Sequence, residues 1–135
     1  MIAIDSSAVI SILRGESDGG RFADAITDAD AACMSAVSLQ ESSMVLAGRT
    51  GDAVLWLPLD ELIRDMNLEI VAHDADLARV AREAFLRFGK GRHRARLNFG
   101  DCASYALAKT RDVPLLFKGS DFARTDIVPA IAAPA

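Results

Sequence analysis

The chain is poor in the residues that would staple it together or support the commonest metal chemistry. Only two cysteines, Cys33 and Cys102, occur in its 135 residues, both in apolar surroundings and without a CxxC spacing. That excludes a disulfide framework and predicts buried, reduced thiols. His73 and His93 are the only histidines and form no ligand cluster, which excludes a zinc site. No apolar run approaches the roughly 18 residues that cross a bilayer, so no membrane association is expected. The opening Met1-Ile2-Ala3-Ile4-Asp5 lacks the basic n-region of a secretory signal, and a cytoplasmic location is the expectation.

What is present is a large apolar fraction, 51%, enough to build a core without disulfides. The length fits one domain, expected over residues 1–128, with 129–135 as a loose tail. The net charge of −4 argues weakly against a nucleic-acid partner, but the charge is unevenly spread. Arg79, Arg82, Arg87, Lys90, Arg92, Arg94 and Arg96 fall within one short stretch against a single acid, Glu83. A basic patch therefore sits on an otherwise strongly acidic chain.

Short apolar runs alternate with helical patterns. Ile2 to Asp5, Ala31 to Met34, Leu68 to Val71 and Val113 to Phe117 read as strands, with Ile127-Val128 as a last edge strand. Helical spacing marks the stretches after Ser7, from Phe22, from Val37 to Gly48, from Asp52 to Asn67 with a bend or break at Pro58, from Asp74 to Phe88, and after Asp101. Arg92 to Leu97 reads as a loop. This alternation predicts an α/β fold with a parallel sheet covered on both faces, whose site lies beyond the C-terminal strand ends.

Four acids stand where that rule points. Asp5 ends the first strand, Asp101 opens a helix, Asp121 follows the Val113 strand, and Glu41 lies one turn into a central helix. Two carboxylates about 5 Å apart repel by roughly 3 kcal/mol at an effective dielectric near 20. Four together must protonate or bind a cation, and an all-oxygen set favours Mg²⁺ or Mn²⁺. Such an ion suits phosphodiester hydrolysis. Each acid also has a plainer explanation. Asp5 can cap the next helix, Ser38-Leu39-Gln40-Glu41 matches a capping box, Asp101 complements a helix dipole, and Asp121 suits a turn. Ser7 can be an ordinary first-turn residue, and Trp56 and Leu57 fit core packing better than a partner surface.

Taken in order, the segments Met-Ile-Ala-Ile-Asp-Ser-Ser-Ala at 1–8, Ser-Ala-Val-Ser-Leu-Gln-Glu at 35–41, Asn-Phe-Gly-Asp-Cys-Ala-Ser-Tyr-Ala-Leu-Ala at 98–108 and Leu-Leu-Phe-Lys-Gly-Ser-Asp-Phe at 115–122 resemble the PIN-domain nucleases, within them the VapC-type toxins of toxin–antitoxin pairs. Thr125-Asp126-Ile127 is similar to the family as well. The resemblance implies a three-layer α/β/α sandwich and a Mg²⁺- or Mn²⁺-dependent endoribonuclease. It also implies a homodimer silenced by a VapB-type antitoxin, which alone connects it to DNA. Asp5 and Asp101 then fall on direct metal positions, and Glu41 supports the metal directly or through water. Asp121 completes the pocket or holds a second ion, and Ser7 falls on the small hydroxyl position beside the metal. Ser120 departs from the many relatives that carry an acid or amide before the last aspartate.

An acidic pocket repels RNA, so contacts to the strand fall to Arg87, Lys90, Arg92, Arg94, Arg96 and Lys118, although a solvated loop or an antitoxin contact fits the same arginines. His93 reads as an exposed bystander. A catalytically degenerate interaction module on the same fold is the alternative. A phospho-accepting receiver domain fits poorly, because Asp5 is followed by two serines and Lys118 by glycine.

Overall fold

A computed structural model describes residues 1–48 and 51–132. Four short strands, β1 (Ile2–Ile4), β2 (Ala32–Ser35), β3 (Glu69–Val71) and β4 (Leu115–Leu116), form one sheet in the order β3-β2-β1-β4. Every pairing is parallel, with Ala3 opposite both Cys33 and Leu115. Six helices connect and flank them: α1 (Ser6–Leu13), α2 (Gly19–Asp28), α3 (Ala36–Ala47), α4 (Trp56–Asp65), α5 (Ala75–Phe88) and α6 (Phe99–Arg111).

Strand alternation sorts the core into two halves. Ala3, Cys33 and Leu115 face α5 and α6, where Leu77, Ala81, Ala84, Phe88, Tyr105 and Leu107 close the layer. Ile4, Met34 and Leu116 point the other way, against Val9, Phe22, Ile26, Leu46 and Leu59 of the first four helices. Because both faces are covered, β1, β2 and β4 are nearly continuously apolar, with the exposed Glu69 only on the edge strand β3, and the three-layer α/β/α arrangement expected from the resemblance follows.

The boundaries differ from the sequence reading in several places. Only Leu115 and Leu116 of the Val113–Phe117 run pair as a strand, although the Pro114 carbonyl accepts from Ala3 N at 2.8 Å. Asp52 to Leu55 stay outside α4, and Pro58 neither bends nor breaks the helix. It sits in the first turn, where its missing N–H costs nothing. Trp56 and Leu57 are not core residues. They are 42% and 65% exposed, and the indole Nε1 of Trp56 donates to the Ser43 carbonyl at 2.7 Å.

Ile127-Val128 forms no strand. The Val128 carbonyl accepts from Leu115 N, and Ala130 N returns a bond to the Leu115 carbonyl, both at 2.9 Å. The loose tail expected from 129 is therefore pinned through 132, where Ile131 packs on the core and Arg21 donates to the Ala132 carbonyl. Residues 133–135 of that expected tail lie outside the described residues.

Candidate functional site

In a sheet of order β3-β2-β1-β4, the chain steps outward from β1 through β2 to β3 and then crosses back to place β4 on the other side of β1, so the strand order reverses and a crevice opens beyond the C-terminal ends of β1 and β4. Asp5 is the first residue past β1. It is 3% exposed and caps α1 by accepting from Ser7 N. Its buried charge is met entirely by donors. Ser104 Oγ of α6 reaches Oδ1 at 2.6 Å, while Ser7 Oγ and Ser7 N reach Oδ2 at 2.6 and 3.1 Å. Ser7 Oγ also accepts from Lys118 N at 3.0 Å, which ties the loop after β4 to the end of β1.

Glu41 projects from the middle of α3. Ser6 Oγ donates to its Oε1 at 2.5 Å, and its carboxylate lies so close over Gly100 that any Cβ there would collide with it. The capping box read at Ser38–Glu41 is absent, because α3 begins earlier, with Ser35 as its cap through Val37 N. Ser38 is instead buried inside the helix, sharing a hydrogen bond of 3.1 Å with Ser104.

Asp101 stands in the first turn of α6 and forms a capping box with Asn98. Asn98 N donates to Asp101 Oδ2 at 3.0 Å, and Asp101 N donates to Asn98 Oδ1 at 2.9 Å. Its carboxyl is pushed up to about 7, mainly by burial and further by the negative charges of Asp5, Glu41 and Asp121, while the Asn98 amide opposes the rise. Asp5, Glu41 and Asp121 thus all lie near enough to Asp101 for their charges to act on it. Asp121 is the exposed member, leading into a 3₁₀ turn at Phe122–Arg124 with no side-chain capping bond.

The donor chemistry, all carboxylate and hydroxyl oxygen, fits a hard divalent cation. The approach of the acids is looser than a finished cage: among the described residues, no three His, Cys, Asp or Glu side chains close on a common point. Asp5, Glu41 and Asp101 are turned toward hydroxyls and an amide.

The nominated basic residues divide into two groups. Arg87 is committed to structure, with Nη2 at 3.8 Å from Asp126, Nη1 donating to Tyr105 Oη, and its guanidinium 4.7 Å over the Phe88 ring. Lys118 Nζ is held between Glu16 and Asp18 at 3.2 and 3.3 Å. Lys90, Arg92, Arg94 and Arg96 are exposed on a turn that is held, not mobile. Lys90 N donates to the Leu97 carbonyl and Leu97 N to the Phe88 carbonyl, both at 3.0 Å, with Ala95 and Leu97 buried beneath. His93 is half-buried. Its ring meets Phe88 edge-on at 5.2 Å, and Nδ1 accepts from Ala95 N.

Sequence reasoning missed Ser6, Ser104, Asn98 and Gly100. Ser104 carried a usable signal, because it follows Asp101 by three residues and so lies one turn along the same side of the helix. Gly100, a glycine inside a helix start, was the other.

The PIN domain family model matches residues 2–128. The ribonuclease VapC28 of Mycobacterium tuberculosis is 45% identical over 129 residues, covering 95% of this chain and 96% of that protein. The ribonuclease VapC of Mycolicibacterium smegmatis is 44% identical over 126 residues, covering 93% and 97%. Among solved structures, Mycobacterium tuberculosis VapC20, described as a sarcin-ricin loop cleaving toxin, superposes with a TM-score of 0.77 at 19% identity over 95% of this chain and 97% of that one. A toxin–antitoxin complex from Klebsiella pneumoniae gives 0.69 at 14% identity, over 100% and 98%. With the family model matched over residues 2–128 and relatives of 44–45% identity matched along nearly its whole length, the chain belongs to the PIN domain family.

Proposed function

We propose that this protein is a divalent-metal-dependent endoribonuclease, the toxin of a VapBC-type toxin–antitoxin pair. The observation that carries the reading is Asp101, a carboxyl pushed up to about 7 mainly by burial and further by the negative charges of Asp5, Glu41 and Asp121 beside it. Excess negative charge of this kind is relieved by a cation, and relatives named as VapC ribonucleases, 44–45% identical, support its use on RNA.

In this reading Asp5 and Asp101 hold Mg²⁺ or Mn²⁺, Glu41 supports it, and Asp121 completes the pocket. A divalent cation bound there supplies neutralisation of the phosphodiester charge and activation of water. The chain's own part is positioning. Ser7 and Ser104 fix both oxygens of Asp5, Ser6 orients Glu41, and the Asn98 capping box sets Asp101. Residues 1–128 act as one nuclease unit, in the cytoplasm, as a homodimer held inactive by its antitoxin and reaching DNA only through it. No helix among the described residues is long and apolar enough to cross a membrane.

The test is sequencing of RNA ends after induced expression, repeated with Asp5→Asn and Asp101→Asn. Cleavage dependent on a divalent ion, lost by at least about a hundredfold in both folded variants, is the expected result. Undiminished cleavage in both defeats the proposal. The open spacing of the acids favours one competitor, a non-catalytic interaction module. Titration calorimetry with Mn²⁺ decides between them, since the module binds none in the millimolar range.

A further inference from the structure

The large hydrophobic side chain most exposed among the described residues is an aromatic next to the acids. Phe99, the first residue of α6 and two before Asp101, is 76% exposed. It walls two cavities. One, of about 370 Å³, is shared with Glu41. The other, of about 330 Å³, lies between α5 and α6 and is lined by Phe99, Phe85, Arg82 and His73. Phe85 is itself 41% exposed. Arg82 makes no ion pair among the described residues, and His73 Nδ1 has no hydrogen-bond partner among them. None of these four residues serves the carboxylate site.

We propose that the cavity between α5 and α6 receives a nucleobase of the RNA strand, one that flanks the cleaved bond and stacks on Phe99. The inference rests on the ribonuclease reading and gives that site its base-binding subsite. Side chains two apart on a helix do not face each other, so the ring turns away from Asp101, but it still walls the cavity that Glu41 lines. A strand whose phosphate lies at the acids therefore passes the ring, where an adjoining base can reach it. Stacking suits an exposed phenyl face because every base has a π-face. Arg82 adds a fork of donors and a positive charge at the rim, complementary to a base edge and to the strand. His73 offers a further polar group on a wall otherwise apolar. The charge also argues for RNA over an apolar peptide, for Arg79 and Arg82 head the basic stretch that continues to Arg96.

The experiment uses a pool of short random-sequence single-stranded RNAs, with binding followed by anisotropy and cleavage by end sequencing, for the wild type, F99A, F99W and R82A. The exposure of Phe99 leaves F99A with wild-type thermal unfolding. F99A raises Kd and KM about tenfold, leaves kcat within about twofold, and flattens the base profile at one position beside the cut. F99W restores all three, and R82A shows a smaller rise in KM. Wild-type binding and an unchanged base profile in F99A overturn the subsite. So does an F99A that handles RNA normally but loses its hold on the antitoxin, which assigns the patch to a protein contact. RNA bound with the same dependence on Phe99 but never cleaved upholds the subsite and overturns hydrolysis, so the two failures are distinguishable.

Discussion

Asp101 is where the cost of the site is concentrated. Its carboxyl is raised from an ordinary 3.8 to about 7, first by burial and then by three neighbouring negative charges. The folded chain consequently prefers this group protonated. Its stabilising contribution is complete below about pH 4 and is lost as pH rises through 7. Asp101→Asn removes that loss, and the amide oxygen still accepts from Asn98 N. Three pKa units correspond to about 4 kcal/mol. The group is partly open to solvent, so screening brings this to about 1–2 kcal/mol, or roughly 5 °C in Tm. Cation-free Asp101→Asn should melt above the wild type at pH 8 and level with it near pH 4, while millimolar Mn²⁺ should raise the wild type selectively. Thermal melts across pH check this, and an Asn variant less stable than the wild type at pH 8 contradicts the assignment of burial and repulsion as the causes.

The packing of α3 against α6 is the element-scale device that sets the site. Two of the contacts between them set the acids: the buried Ser38–Ser104 hydroxyl pair, and the Glu41 carboxylate over Gly100. The second requires the absence of a side chain. In Gly100→Ala the new Cβ falls on Glu41, whose carboxylate is the end of a flexible chain and can swing aside without moving backbone. Alanine also favours the helix by up to about 1 kcal/mol. Stability should therefore hold or rise while RNA cleavage falls as far as in Glu41→Gln, with the double variant no worse than either single one. Wild-type cleavage by Gly100→Ala would remove Glu41 from the site.

The same pair of helices marks how far the sequence could be read. Asp5 and Asp101 were legible because one ends an apolar run and the other opens a periodic stretch, while Glu41 and Asp121 stood out through their place in the segments that resemble the family, and strands buried on both faces leave a continuous apolar signature around Ile4, Met34 and Leu116. Of the hydroxyls around those acids, Ser7 was legible from the resemblance and Ser104 carried only its spacing from Asp101. Ser38 occupies a helix interior, where serine carries no local signature, and it meets Ser104 only because α3 and α6 cross. The attachment of Ala130 to Leu115 was hidden for a similar reason, since a two-bond contact leaves no periodicity.

Over the whole molecule, an acidic protein handling RNA has to separate its attractive and repulsive surfaces. The net charge is −4, yet Lys90, Arg92, Arg94 and Arg96 stand exposed on one pinned turn, with Ala95 and Leu97 anchoring it from below. Arg87 and Lys118 are excluded from this set by their ion pairs with Asp126 and with Glu16 and Asp18. Up to four phosphate contacts follow, and log Kd for single-stranded RNA should vary with log salt with a slope magnitude of about 3, near 0.7 per contact. Arg94→Ala and Arg96→Ala should each lower that slope by about 0.7, while Arg87→Ala should leave it unchanged and lower the melting temperature through its lost contacts with Tyr105 and Phe88. Anisotropy titrations at several salt concentrations measure all three. A slope indifferent to Arg94 and Arg96 but reduced by Arg87→Ala would move the strand's path off this turn and onto the outer face of α5. The repulsion from the acids would then have to be offset by Arg79, Arg82 and Arg87 instead.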